Sequence, residues 1–462
     1  MNTNSLLNLK NDIADVSGEW KVFNPARLEQ SIGMCKYRYS DIELAIKGAG
    51  LVNPDGPDPR QVVAKARDAL IQHQEQILKI ARLELARTHA DFAIEWEHTI
   101  AYLNALTVDE ALGSRDLESR GLSVLLGSYV WPIFYSVQFA LMNFVAGNPI
   151  ILKPSEKSTL TVHAVIEVLR MLPELSSIQL LMGEREVGRR LATHEAVSTV
   201  LFQGSFEVGM RVKQDALSQP NKEVLLFLGS KNPAIVFADA KDGVEDAILK
   251  DAFLGAGQHC RSTSVIFVER ARLRSFYEKF HELSKSFKIG GPESGAFMGP
   301  LIDGSVVDRF LKFVGISERE GAAVLMRGKS FVTSEKGHFV TPSIALFETL
   351  TPDRLRKSVS LQTEILSPHV SIIGFDHEAD LTELLAQMNH GRLASIWTEN
   401  VPRALRIARS LIVGEVLINQ SVFEFDPWST SQARKRSGNH ARFGQGLLSQ
   451  LTCEKVIRTH TL

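Results

Sequence analysis

SVLLGSYVWPIFYSVQFALMNFVAGNPIILKPSEKS, Ser123 to Ser158, decides the architecture of this chain. SVLLGSYV is an apolar run of strand length, FYSVQFALMNFVAG has the spacing of a helix, and NPIILKP is a second apolar strand. Two such strands joined by a helix pair in parallel, because the crossover brings the chain back to the same end of the sheet. The alternation continues outward. STLTVHAVIEVLRML reads as helix, IQLLMG as strand, EVGRRLATH as a short helix, VSTVLFQG as strand, FEVGMRVKQDAL as helix and EVLLFLG as strand. Strands that are apolar along their whole length are buried on both faces, so helices cover both sides of this sheet. The reading is a doubly wound, nucleotide-binding α/β domain up to about residue 230.

Upstream, VVAKARDALIQHQEQILKIARLELA carries apolar residues three and four apart, which makes Arg60 to about Leu106 helical. Residues 1 to about 60 read as irregular, with the turn-rich NPDGPDP at Asn53 to Pro59. DEALGSRDLESRG is a polar hinge. Downstream, a second βα set begins with NPAIVFADA at Asn232 and runs to about residue 430. The final SGNHARFGQGLLSQLTCEKVIRTHTL reads as ending in a β segment with no helix of its own, whose open edge calls for another chain.

A chain of 462 residues exceeds one core, so two or three domains are expected. A hydrophobic content of 44% with 23% charged residues fits a soluble globular protein, and a net charge of −1 leaves no footprint for nucleic acid or an anionic membrane. The cysteines, Cys35, Cys260 and Cys453, are odd in number and far apart, which argues for a reducing compartment. No His/Cys spacing suggests a metal site. The start MNTNSLLNLKND has no signal-peptide pattern, and Gly, Pro or charge breaks every apolar stretch before it spans a bilayer. A cytoplasmic protein is expected.

One of those cysteines stands in GAGQHCRSTS, Gly255 to Ser264. The helical run Val244 to Leu254 stops at paired glycines, Cys260 follows, and the β-rich SVIFV begins at Ser264. A cysteine on such a turn exposes its sulfur while its backbone stays fixed, and it is the nucleophile that needs least activation. A buried structural thiol fits the same local pattern. In LKPSEKS, Leu152 to Ser158, a lysine and a carboxylate three residues apart at a strand end could reach the hydroxyls of a ribose, or simply start and cap a helix. In FQGSFEVG, Phe202 to Gly209, Gly-Ser opens a helix whose N-terminus suits a pyrophosphate, or serves as an ordinary cap.

Taken together, these stretches resemble the aldehyde dehydrogenase superfamily. Gly-Gln-x-Cys matches its nucleophile motif, and LLMGEREVGRRLATH matches in Gly183, Gly188, Leu191 and His194. LQTEILSPHV matches in Glu364 and Pro368, FLGSK in Leu228, Gly229 and Lys231, and GEVLIN (Gly414 to Asn419) and SGNH (Ser437 to His440) follow near the C-terminus. The resemblance implies Cys260 as nucleophile and NAD as cofactor, with NADP left open. It implies Lys153 and Glu156 at the adenine ribose and Glu364 at the nicotinamide ribose. It also places Gly183, Gly204, Ser205, Gly209 and Gly229 in the cofactor site. The implied fold is α/β, with a Rossmann-type NAD-binding domain (1–106 and 127–230) and an α/β catalytic domain (231–432). A small β oligomerisation extension (107–126 and 433–462) would build a homodimer or homotetramer. SGNH is most similar to the version found in enzymes of arginine breakdown that oxidise N-succinylglutamate semialdehyde, with Arg442 a candidate cation for its carboxylates and equally a solvated surface arginine.

The match breaks at two catalytic positions. Phe227 stands where the family has the glutamate that activates water, and Val130 where it has the asparagine that holds the oxyanion. Neither side chain can do the corresponding work. Phe206 replaces the threonine of the nucleotide turn, Leu366 and Ser367 replace Phe-Gly, TSQA (Thr430 to Ala433) replaces Pro-Phe-Gly-Gly, and Asn-x-x-Tyr-Gly-Leu survives only as QMNHGRL. Three readings remain: an aldehyde dehydrogenase that releases its acyl group to water, one that releases it to coenzyme A, and a catalytically impaired binding or assembly protein.

Overall fold

The computed structural model describes residues 8–9, 15–53, 56–108, 117–217, 219–333, 335–441, 444–456 and 458. Five parallel strands form the first sheet in the order Ile178–Leu180, Ile150–Lys153, Ser123–Leu126, Thr199–Gly204, Glu223–Leu228. The chain winds outward from Ser123–Leu126 in one direction and then returns to build the other half. That reversal opens a crevice at the carboxyl ends of Ser123–Leu126 and Thr199–Gly204, where ligands bind in folds of this type. The helix Pro132–Val145, apolar almost all round in sequence, is buried from Pro132 to Phe144.

The second sheet has seven strands in the order Ala323–Met326, Ser343–Phe347, His369–Phe375, Thr263–Glu269, Asn232–Val236, Leu393–Trp397, Glu415–Ile418. All neighbours are parallel except Ala323–Met326, which runs against Ser343–Phe347. The chain leaves the first sheet after Leu228 and enters the second at Asn232, so Gly229, Ser230 and Lys231 lie on the seam between them. Cys260 reaches the same seam from the other side, just before the strand Thr263–Glu269. Two sheets joined end to end thus place strand termini, where backbone groups are unpaired, around one cleft.

Two expectations are corrected. Residues 1–60 are not irregular throughout: Gly18–Asn24 and Arg27–Tyr37 pair antiparallel, and Asp41–Ala49 is a helix. The longer strand is exposed over its first residues and buried only at alternating positions towards Tyr37, so its pattern is faint without its partner. The C-terminal stretch does contain a helix, Gly444–Leu451. Its two glycines give it poor propensity, and burial of Leu447, Leu448 and Leu451 against Pro132–Val145 overrides that. The closing strand Thr452–Glu454 pairs antiparallel with Leu117–Ser119 of the same chain.

Candidate active site

The turn that carries Cys260 is held in a costly conformation by its surroundings. Gly255, Ala256 and Gly257 are all left-handed, with φ of 60°, 57° and 64°. A Cβ on Gly257 would lie 2.6 Å from the Ser367 carbonyl oxygen. Gly257→Ala is therefore expected to cost about 1–3 kcal/mol, read as a lowered denaturant midpoint; an unchanged midpoint would show that the turn can move. Gln258 spans the turn, donating to the Gly255 and Pro300 carbonyls (both 3.2 Å) and accepting from the Ile302 N–H (2.8 Å). The Cys260 carbonyl accepts from Asn232 Nδ2 (2.9 Å) and from the Ser230 hydroxyl. Arg261, fully buried, forks onto Glu415 (2.9 and 3.3 Å) and donates from Nε to the Val422 carbonyl. The backbone on both sides of the sulfur is pinned while the thiol remains half-buried.

Cys260 opens into a cleft of about 760 Å³ whose walls include Val130, Gly204, Ser205, Phe227, Gly229 and Glu364. The Phe227 ring is locked between Phe139 (edge on, 4.6 Å) and His440 (3.7 Å, tilted 30°). His440 Nδ1 lies 2.8 Å from the Leu226 carbonyl, and Asn439 bridges the Val224 and Leu226 backbones. The SGNH segment thus closes the edge of the first sheet and backs the wall of the cleft. Two polar groups approach the sulfur. Tyr135 Oη is 3.7 Å from Cys260 Sγ, and Arg392 Nη2 donates to Tyr135 Oη at 3.2 Å.

A second cleft of about 1000 Å³ adjoins the strand ends at Lys153, Glu156 and Gly188. The Lys153 ammonium donates to Glu156 Oε1 (3.1 Å), to the Pro154 carbonyl (2.9 Å) and to the Gly183 carbonyl (2.5 Å). Gly183 and Gly209 are not among the wall residues of either cleft. Gly183 positions the lysine, and Gly209 lets helix Phe206–Ala216 approach the sheet, since a Cβ there would sit 2.5 Å from Leu228. Ser205 caps that helix, accepting from the Val208 N–H (3.4 Å), and Phe206 lies under the Arg436 guanidinium at 4.8 Å.

Glu364 folds over Gly229, where a Cβ would collide with its carboxyl, and accepts from the Ser230 N–H at 2.7 Å. Burial pushes its carboxyl up to about 7, against the pull of the Ser230 N–H and of Arg392, Arg309 and Lys231. The folded value lies above the ordinary 4.5, so the contribution of Glu364 to stability is complete below that pH and is lost as pH rises through about 7. Glu364→Gln removes this loss. Melting curves from about pH 5 to about pH 8 are expected to show the variant gaining on the wild type as pH rises, and a constant difference would contradict the assignment.

A family model described as "Aldehyde dehydrogenase family" matches residues 13–457. The chain belongs to the aldehyde dehydrogenase family. It is 26% identical over 463 residues to an α-ketoglutaric semialdehyde dehydrogenase of Bacillus subtilis, covering 92% of this chain and 93% of that one. A chloroplastic aminoaldehyde dehydrogenase of Arabidopsis thaliana is 30% identical over 344 residues, covering 73% of this chain and 66% of the relative. Among solved structures, a Mycobacterium tuberculosis aldehyde dehydrogenase complexed with NAD+ superposes with a TM-score of 0.88 at 24% identity, covering 97% of this chain and 96% of that one.

Within this family's fold, Cys260, Gly204, Ser205, Gly229 and Glu364 come together in one cleft, and Lys153 and Glu156 in the neighbouring one. Arg442 lies outside the described residues. Sequence reading missed Tyr135, Arg392, Glu95 and Glu415. Arg392 and Glu415 had a signal, a single charge at the edge of an apolar strand, at Leu393–Trp397 and within Glu415–Ile418. Glu95 had none that local pattern could reveal. It is fully buried, pairs with Arg87, and accepts from the Ile133 and Phe134 N–H groups (2.8 and 3.0 Å) at the positive end of helix Pro132–Val145.

Proposed function

We propose that this protein oxidises a small semialdehyde with NAD as hydride acceptor, through a thioester on Cys260. The observation that carries the reading is the half-buried Cys260 thiol on a pinned turn, opening into the cleft that also holds Gly204, Ser205 and Glu364. The residues present fit a dinucleotide. Glu156 is 39% exposed beside the buried Lys153 at a strand end, and Gly188 lines the same cleft, where a Cβ would meet the lysine stem at 3.5 Å. Lys153 and Glu156 would hold the adenine ribose, Ser205 and the start of Phe206–Ala216 the pyrophosphate, and Glu364 the nicotinamide ribose. NAD, when bound, supplies the hydride acceptor.

The chain's own contribution begins with the Cys260 thiolate, which adds to the aldehyde carbon to give a thiohemiacetal. After oxidation the acyl group remains on the sulfur as a thioester and needs a second nucleophile. Substrate choice follows from the SGNH resemblance, which points to N-succinylglutamate semialdehyde. The Bacillus subtilis relative is itself named for a semialdehyde that carries a carboxylate.

A second reading concerns the acceptor. Phe227, wedged between Phe139 and His440, places a hydrocarbon ring where hydrolysis would want a base. A thiol attacks without that help, so coenzyme A fits as the acyl acceptor. A missing general base costs hydrolysis about 10²–10⁴-fold. Purified protein given NAD and a panel of semialdehydes is expected to form NADH, and adding coenzyme A to raise steady turnover at least tenfold. Equal turnover without it would leave water as the acceptor. No NADH under either condition, not even one equivalent per site, would sink the dehydrogenase reading and leave the binding or assembly role.

Among the described residues, Leu117–Ser119 and Thr452–Glu454 pair with each other alone, so homodimers or homotetramers built on the edges of this sheet belong to the same proposal. Light scattering of the purified chain tests it, and a monomer at all concentrations would rule it out.

A further inference from the structure

We propose that the cleft beside Lys153 and Glu156 contains a subsite for a phosphomonoester carried on the adenosine ribose, with Arg185 and Arg211 as its guanidiniums. The proposal rests on the reading of this cleft as an adenosine site, and it adds which adenosine ligands the cleft prefers. Two carriers share this chemistry. NADP has the phosphate on the 2′ oxygen of the ribose, and coenzyme A has it on the 3′ oxygen. Leu126, Phe202, Val208 and Val212 give the cleft an apolar wall. Val208 is 44% exposed there, so a flat base laid against it removes apolar surface from water.

The charged residues around that wall are mostly cations. Lys153, Arg185, Arg189 and Arg211 line the cleft against two carboxylates, Glu156 and Asp215. Lys153 and Glu156 pair with each other at 3.1 Å, and Arg189 forks onto Glu186 with both bonds at 2.9 Å. Asp215 stands four residues after Arg211 on helix Phe206–Ala216 and also acts on Arg189. Arg185 and Arg211 are exposed, and among the described residues neither forms an ion pair. One carboxylate thus answers two uncommitted guanidiniums. A phosphomonoester carries about −1.5 to −2 charge near neutral pH and offers three acceptor oxygens to the planar guanidinium fork. Glu156 does not oppose it outright, because a carboxylate held by Lys153 can take one ribose hydroxyl while the other oxygen bears the phosphate.

The two arginines come from elements that meet at the ribose end of the cleft. Arg185 opens helix Arg185–Thr193 two residues after Gly183, whose carbonyl accepts from the Lys153 ammonium at 2.5 Å. The lysine and the start of that helix are therefore adjacent, and the positive end of the helix adds to the pull on an anion. Arg211 belongs to the neighbouring helix Phe206–Ala216, which packs against Arg185–Thr193. Gly188 and Ala192, on the face of Arg185–Thr193 that lines the cleft, are small and keep the space between the helices open. Both guanidiniums stand at the surface, so glutamine in their place leaves the fold intact.

Adenosine half-ligands test the subsite without any turnover. Calorimetry on the full chain compares 5′-AMP with adenosine 2′,5′-bisphosphate and adenosine 3′,5′-bisphosphate, each of which adds one phosphate to it. At least one bisphosphate is expected to bind about tenfold tighter than 5′-AMP, the worth of one charge-assisted contact. Arg185→Gln combined with Arg211→Gln should abolish that gain and leave the 5′-AMP affinity within about threefold of the wild type. Arg274→Gln, 84% exposed on helix Arg270–Ser286 and outside the cleft, should keep the gain. A gain confined to the 2′ isomer identifies NADP as the carrier, one confined to the 3′ isomer identifies coenzyme A, and equal gains mean that the cleft takes both. Binding of 5′-AMP with no gain from either isomer, or a gain that survives in the double variant, overturns the proposal and leaves the adenosine reading standing. No binding of any of the three overturns both.

Discussion

Cys260→Ala is expected to lower aldehyde-dependent NADH formation by on the order of 10⁴–10⁶-fold, since removing a nucleophile removes the covalent route altogether. The fold should barely notice. The thiol is half-buried, and the pinning contacts of the turn run through the Cys260 carbonyl and its neighbours, which alanine retains. The melting temperature should therefore stay close to that of the wild type, and so should the affinity for NAD measured by calorimetry. Neither of the other cysteines can take over. Cys35 is completely buried, and burial pushes its thiol up to about 12, so it carries almost no thiolate near neutral pH. Cys453 lies in the strand paired with Leu117–Ser119 and lines neither cleft. Normal turnover in Cys260→Ala would end the nucleophile assignment.

The second large effect is on stability. Glu415→Ala strands the Arg261 guanidinium, which is buried completely and forks onto that carboxylate. Removing one partner of a buried ion pair costs about 3–5 kcal/mol, because the remaining charge has no compensation. Arg261 follows Cys260 directly, so its displacement should also carry the sulfur away from Tyr135 and depress activity beyond the loss of folded protein. The control is Arg261→Met combined with Glu415→Leu. An apolar pair of similar bulk should recover much of the lost stability, as replaced buried ion pairs often do. The readout is the denaturant midpoint followed by two probes, because a chain with two sheets need not unfold in one step. A single variant as stable as the wild type would show that water reaches Arg261.

These two predictions draw on different kinds of information. The candidacy of Cys260 was legible in GAGQHCRSTS, where paired glycines, a lone cysteine and a following strand are local features, and the family resemblance set it above a buried structural thiol. Glu415 was visible only as one residue of GEVLIN. Its partner lies 154 residues away, and nothing in either segment names the other.

The sequence by itself determined the parallel βα architecture, because strands apolar throughout and helices of matching spacing are periodic signals within a few residues. It also singled out the candidate nucleophile Cys260, the Lys153–Glu156 strand end, and Phe227 and Val130 at the positions where the family has a base and an amide. Tertiary structure alone decided the rest. The hairpin of Gly18–Asn24 with Arg27–Tyr37 and the helix Gly444–Leu451 exist because of what they pack against, not because of their own propensity. Gly183 and Gly209 turned out to support the walls of the clefts, which depends on the side chains that cross beneath them. The pairing of Tyr135 with Arg392 joins residues 257 positions apart. Chemistry at a site is set by distances between groups on different elements, and a linear pattern records such distances only where the chain happens to be short.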